Sequence, residues 1–151
     1  MTMSDTFDAP STPSPTVDVN YRVVHIEEVT FDFSTASAAV VLREAENPRR
    51  RLPVPIALPD ATSIHQAWHH VPGRRPATSE LVAVILGELQ ADVIAARIVR
   101  SEAGVYYGEL DVMTHRGRRV FDCRPSDAMV LALRQGVPAP LLVAEDLLTS
   151  D

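Results

Sequence analysis

The residues best equipped for chemistry lie together: Asp122, Cys123, Arg124, Pro125, Ser126 and Asp127. An apolar strand, Val120 and Phe121, runs into them, and a helix starts at Pro125. The fixed φ of Pro125 suits a first helical position, and its ring keeps Arg124 out of the α region. Ser126 and Asp127 then fall in the first turn, where free N–H groups and the positive dipole end favour oxygen ligands and anions. Across this corner Asp122 and Asp127 could converge on a hard divalent cation, Mg²⁺ or Mn²⁺. Such an ion takes one or two carboxylates beside phosphate and water oxygens, and it would polarise a phosphodiester and help generate hydroxide. A second helix start repeats the pattern, with Arg75 and Pro76 ahead of Thr78, Ser79 and Glu80. An Arg just before a helix N-terminus makes a phosphate or carboxylate cradle, its fork giving charge and the amides and hydroxyls giving aimed donors. Thr78 reads as the N-cap, and Glu80 complements the dipole. The structural alternative stays open: Pro, Ser and Asp are ordinary capping residues, and an Arg between two Asp can be a structural ion pair.

Other reactive side chains carry weaker signals. His65 and His69 have the i, i+4 spacing of a zinc pair, with His70 adjacent, but no third ligand stands at a diagnostic distance. They read as a solvated helix face. His115 falls in a turn, and Cys123 reads as a small buried hydrophobe rather than a nucleophile. The run Arg49 to Arg51 reads as a solvated turn, and Trp68 as core. There is no Gly-rich phosphate loop and no G-x-S-x-G elbow.

These residues need a scaffold, and 151 residues with 46% hydrophobic content suffice for one globular domain. The net charge of −6 argues against a protein that coats nucleic acid nonspecifically. Yet residues 49–124 hold eleven Arg against eight acidic residues, so a local anion site fits the acidic total. All fourteen basic residues are Arg, and the single Cys excludes an intrachain disulfide framework. No secretion-type leader or membrane-length apolar run occurs, so a cytoplasmic location with no membrane contact is the expectation.

Residues 1–19, rich in Ser, Thr, Pro and Asp, read as a disordered tail, and residues 20–151 as a single domain. Strands are expected over 21–33, 38–43 and 52–56. Glu27 and Glu28 break the alternation of the first like a bulge, and Pro53 and Pro55 put the third at an edge or bend. A helix opens at Pro59 and Asp60. The helix from Thr78, hydrophobic on more than one face, is expected to be the most buried. Strands over 92–100, 105–113 and 118–121 precede the helix from Pro125, and a short strand at 140–143 and a turn at 145–148 close the chain. The order β-β-β-α thus occurs twice. An offset of 67 sets Arg51 on Arg118 and Asp60-Ala61 on Asp127-Ala128, as an internal duplication would. The fold class is α+β, a largely antiparallel mixed sheet with packed helices.

From Leu52 to Leu147 the sequence resembles the bifunctional nuclease family of small bacterial and plant domains. The likeness rests on Arg75-Pro76-Ala77-Thr78 opening a Leu-rich helix, on Val105-Tyr106-Tyr107-Gly108-Glu109-Leu110, and above all on Asp122 to Ala128 with Leu131, Ala132 and Arg134. The resemblance implies an α+β domain, often oligomeric, that cleaves RNA and DNA. Where the family usually has Thr-His-Asp this chain has Thr78-Ser79-Glu80. Where the family tends to have Gly and then Glu-Ala it has Ala57 and then Asp60-Ala61. The expected activity is phosphodiester hydrolysis aided by Mg²⁺ or Mn²⁺, with no organic cofactor. In that reading Asp122 and Asp127 bind the metal, Arg75 and Arg124 hold phosphate, Ser126 and Thr78 orient it, and Glu80 is the base. The partners are RNA or DNA and further copies of the chain. The alternative is a non-catalytic oligomeric module that uses the same corner for an anionic ligand or partner.

Overall fold

The computed structural model describes residues 19–149, so the tail expected over 1–19 lies, apart from Val19, outside the described residues. β1 (Tyr21–Asp32), β2 (Ser37–Glu44) and β3 (Arg51–Ala57) form an antiparallel meander that leads into α1 (Leu58–Trp68). After α2 (Thr78–Glu88), a second meander of β4 (Asp92–Glu102), β5 (Val105–Thr114) and β6 (Gly117–Cys123) leads into α3 (Pro125–Leu133). β7 (Leu141–Ala144) joins the two halves, antiparallel to β1 and parallel to β4. The result is one seven-stranded mixed sheet in the order β3-β2-β1-β7-β4-β5-β6, the α+β architecture expected.

Local sequence chemistry explains much of this. The β1 register slips between Ile26 and Glu28, where the apolar alternation breaks. β3 sits at the sheet edge, where Pro53 and Pro55 leave no ladder hydrogen bond unmade. The repeated order of elements is present, but a constant offset does not carry the pairing with it. Arg43 pairs with Arg51, whereas 67 residues on Leu110 pairs with Phe121 rather than Arg118.

The core lies between one sheet face and the helices, with Val24, Val40, Leu42, Val54, Val112 and Val143 opposite Ile64, Met129 and Ala132. α3 is the buried helix: Pro125, Ser126 and every residue from Ala128 to Leu133 are buried. The expectation for α2 is therefore corrected, since none of its residues is buried. Val82, Ala83 and Leu86 touch the core, while Leu81, Val84, Ile85 and Leu89 stay about half exposed or more. A helix apolar all round signals burial only where neighbours exist on all sides. Thr78 is likewise not a cap. Ala77 holds that position, with no side-chain capping bond, and Thr78 is the first helical residue.

Two acidic residues are buried in the sheet at 1% exposure each, Glu44 on β2 and Asp111 on β5. Arg22 and Arg50 clasp Glu44, and Arg97 and Arg118 clasp Asp111. Arg50 also reaches Glu145 and Arg51 reaches Glu27, so these two arginines are held in ion pairs, while Arg49 stays exposed in the turn as expected. Among the described residues no helix is long and apolar enough to cross a membrane.

Candidate functional site

The first turns of all three helices open on one cleft of about 300 Å³, lined among others by Asp60, Thr78, Ser79, Arg124, Ser126 and Asp127. Each helix enters from extended backbone, at Ala57, Ala77 and Arg124, and none has a side-chain cap. Free N–H groups of helix first turns therefore border the cleft, the arrangement that favours an anion.

Arg124 is the N-cap residue of α3, and its guanidinium bridges two carboxylates. Nε donates to Asp127 Oδ2 at 2.9 Å and Nη2 to Asp127 Oδ1 at 2.8 Å. Nη1 donates to Asp60 Oδ2 at 2.9 Å, with Nη2 at 3.4 Å from Asp60 Oδ1. The Asp127 hydrogen bond first, and Asp60 after it, hold the guanidinium charge even more firmly than usual. The Arg between two aspartates thus exists, but its second partner is Asp60 from α1, 64 residues away, and not Asp122. Sequence reasoning did not assign Asp60 to the site; its two signals were the alignment with Asp127 at the offset of 67 and its place where the family tends to have Glu-Ala.

β5 sets the height of this corner. A side chain at Gly108 would place Cβ 2.9 Å from Pro125 N and 3.1 Å from Arg124 C. Only glycine lets the backbone of the α3 entry lie this close to the sheet. On the other side of Arg124 and Asp60 lies a second depression of about 320 Å³, walled by Ile56, Val105, Tyr106 and Pro125.

The remaining sequence candidates divide. Thr78 and Ser126 line the cleft, with Ser126 only 5% exposed. Asp122 is exposed on β6, outside the cleft lining. Arg75 is exposed on the loop between α1 and α2. Glu80 faces Arg134, the C-cap residue of α3, at 3.7 Å and is absent from the cleft lining. Cys123 is half-buried rather than buried; partial burial first, then Asp127 and Asp122, push its thiol up to about 11, which does not suit a nucleophile.

Among the described residues no group of three or more His, Cys, Asp or Glu could hold a metal ion. Asp60 and Asp127 match the one or two carboxylates that Mg²⁺ takes when phosphate and water complete its shell. Both carboxylates are ion-paired with Arg124, so neither is open to a cation while that bridge stands.

The bifunctional nuclease domain matches this chain over residues 40–151, which include α1, α2, α3 and the whole cleft. Two uncharacterized proteins of Mycobacterium tuberculosis, from strains CDC 1551 / Oshkosh and ATCC 25618 / H37Rv, are each 35% identical to it over 99 residues. That alignment covers 66% of this chain and 58% of each relative. The Arg-Pro helix entries, the tyrosine strand and the Asp122-to-Ala128 corner are thus parts of a shared domain, and the chain belongs to the bifunctional nuclease domain family.

Proposed function

We propose that this protein hydrolyses phosphodiester bonds in RNA or DNA at the cleft where the three helix N-termini meet. The observation that carries the reading is Arg124 held between Asp60 and Asp127 at the mouth of helix first turns, within a bifunctional nuclease domain. A phosphate in the cleft would accept from the first-turn N–H groups of α2 and α3 and from the hydroxyls of Thr78, Ser79 and Ser126. Arg124 would turn one edge of its fork from a carboxylate to the phosphate, and Arg75 would add charge from the loop. The displaced carboxylate, Asp60 or Asp127, would be the residue to hold a Mg²⁺ or Mn²⁺ ion. The chemistry such an ion supplies when bound is polarisation of the phosphodiester and a more acidic water. Glu80, tied to Arg134, would fix the start of α2 against α3 and not take the proton. Asp122 is a rim candidate, and Asp122→Asn measures its share.

The second reading is a non-catalytic module assembled through α2. It is favoured by the exposed Leu81, Val84, Ile85 and Leu89, and by an Arg124 whose donors are mostly engaged. Incubating labelled single-stranded RNA and DNA with Mg²⁺, Mn²⁺ or EDTA separates the two. Cleavage that EDTA abolishes supports the nuclease, and intact strands in every condition support the module.

A further inference from the structure

One surface feature lies outside the cleft. Phe31 and Phe33, at the end of β1, stack with centroids 5.8 Å apart and planes within 8°. His65 of α1 meets the edge of Phe31 at 6.2 Å. His69 lies 4.4 Å from His65 and 4.7 Å from Trp68. Five rings from two elements thus form one continuous surface. Phe33 at 79% exposure, His65 and His69 open it to solvent, while Phe31 and Trp68 are half-buried and Trp68 also packs against the core, as its sequence position suggested. Asp32, between the two phenylalanines, turns its carboxylate into the β1–β2 turn, where Ser34 and Thr35 donate to it.

The chain itself links this surface to the cleft. Ser63 of α1 lines the cleft, and Trp68 stands about 8 Å further along the helix axis. Ser63 and His65 lie on opposite flanks of α1, so a bound strand would pass around its C-terminal end. There the loop 69–77 begins, and it returns to the cleft at Ala77. It carries Arg74 and Arg75, both exposed and without an ion pair among the described residues. Nine of the other twelve arginines are ion-paired with carboxylates, and Arg49, Arg116 and Arg119, exposed like Arg74 and Arg75, lie on turns and a strand away from this path. Gly73 keeps the loop tight, because a Cβ there would lie 2.8 Å from Arg75 O.

Exposed rings followed by free guanidinium groups are the two ingredients of single-strand binding: faces on which bases stack, and charges that follow the backbone. We infer that the Phe31–Phe33–His65–Trp68–His69 surface stacks the bases of a single-stranded nucleic acid, and that Arg74 and Arg75 lead its backbone to the cleft. The inference rests on the nuclease reading for its substrate class, but binding tests it without turnover. Duplexes, whose bases are already stacked, are excluded from this surface.

Trp68 is the chain's single tryptophan, so its fluorescence reports the surface directly. The full chain in EDTA is titrated with oligo-dT of about 12 nucleotides and with an abasic strand of the same length and charge. Oligo-dT should quench Trp68 and the abasic strand should not. Phe33→Ala, a change at an exposed position, should weaken oligo-dT binding by roughly fivefold to a hundredfold. Arg74→Ala with Arg75→Ala should weaken both strands and flatten the salt dependence. Equal binding of the two strands, an unmoved Trp68 signal, or a Phe33→Ala variant that changes only the oligomeric state would overturn the inference. The nuclease reading fails separately: quenching by oligo-dT with no cleavage in Mg²⁺ or Mn²⁺ keeps this surface and removes the enzyme.

Discussion

Arg124 and Asp127 meet because they are three residues apart across a helix entry, a local relation that the Arg-Pro-Ser-Asp order makes legible. Asp60 meets them only through the packing of α1 beside α3, and nothing near it in sequence announces that. The pairs are too exposed to be worth much stability, since such surface ion pairs contribute about 0–1 kcal/mol. Asp127→Asn should therefore leave the thermal midpoint nearly unchanged while lowering cleavage by about a hundredfold or more. Thermal melts and initial rates on the same preparation check both halves. Cys123 gives a second residue-scale outcome. With its thiol raised to about 11 by burial and two nearby aspartates, it is protonated at neutral pH. Ellman's reagent should modify it slowly in the folded protein and rapidly in urea. Fast reaction of the native protein would show that the β6–α3 corner is more open than described.

Elements place the site as much as residues do. The α3 entry sits against β5 at Gly108, where an added Cβ would press on the Pro125 and Arg124 backbone and not on a side chain that could rotate away. Gly108→Ala should cost about 1–3 kcal/mol, as overpacking does, and reduce cleavage further than the lost stability explains. Urea denaturation beside kinetics below the melting range measures the two effects. The Tyr-Tyr-Gly motif was visible in the sequence, but its reason was not, because close backbone approach is a property of the pair of elements. α2 teaches the converse. Its composition reads as core, yet the fold supplies a neighbour on one side only, and its outer stripe stays exposed. If a second copy covers that stripe, Val84→Glu should shift the sedimentation coefficient toward the monomer. An unchanged oligomer would place the contact elsewhere.

Across the whole molecule, the order of elements was legible from periodicity and turn residues, and so were the β1 bulge and the proline-bearing edge strand. The place of β7 was not. A four-residue strand that pairs with β1 on one side and β4 on the other is specified by chain closure over more than a hundred residues. The buried ion clusters were equally hidden, since Glu44 and Asp111 look like ordinary strand charges. Their carboxyls are held below the usual range, Glu44 chiefly by Arg50 and Asp111 chiefly by Arg118, both against the cost of burial. A lowered folded pKa means that their contribution is complete above the unfolded value, about 4. It is lost as pH falls through the folded value. Urea midpoints should accordingly hold between pH 7 and 5 and drop on further acidification. Glu44→Gln, which leaves the partly exposed Arg22 and Arg50 around a neutral group while Arg50 keeps Glu145, should cost about 1–3 kcal/mol at neutral pH and make the acid decline shallower.

The central claim, that phosphodiester chemistry takes place where Arg124 stands between Asp60 and Asp127, is tested most directly by one comparison. Labelled single-stranded RNA and DNA are incubated with Mn²⁺ or Mg²⁺ and equal amounts of the native protein, Asp60→Asn and Asp127→Asn, all purified identically. The native protein should cleave in a metal-dependent way, and both folded variants should lose that cleavage. Equal cleavage by all three, or none by any, would contradict the claim.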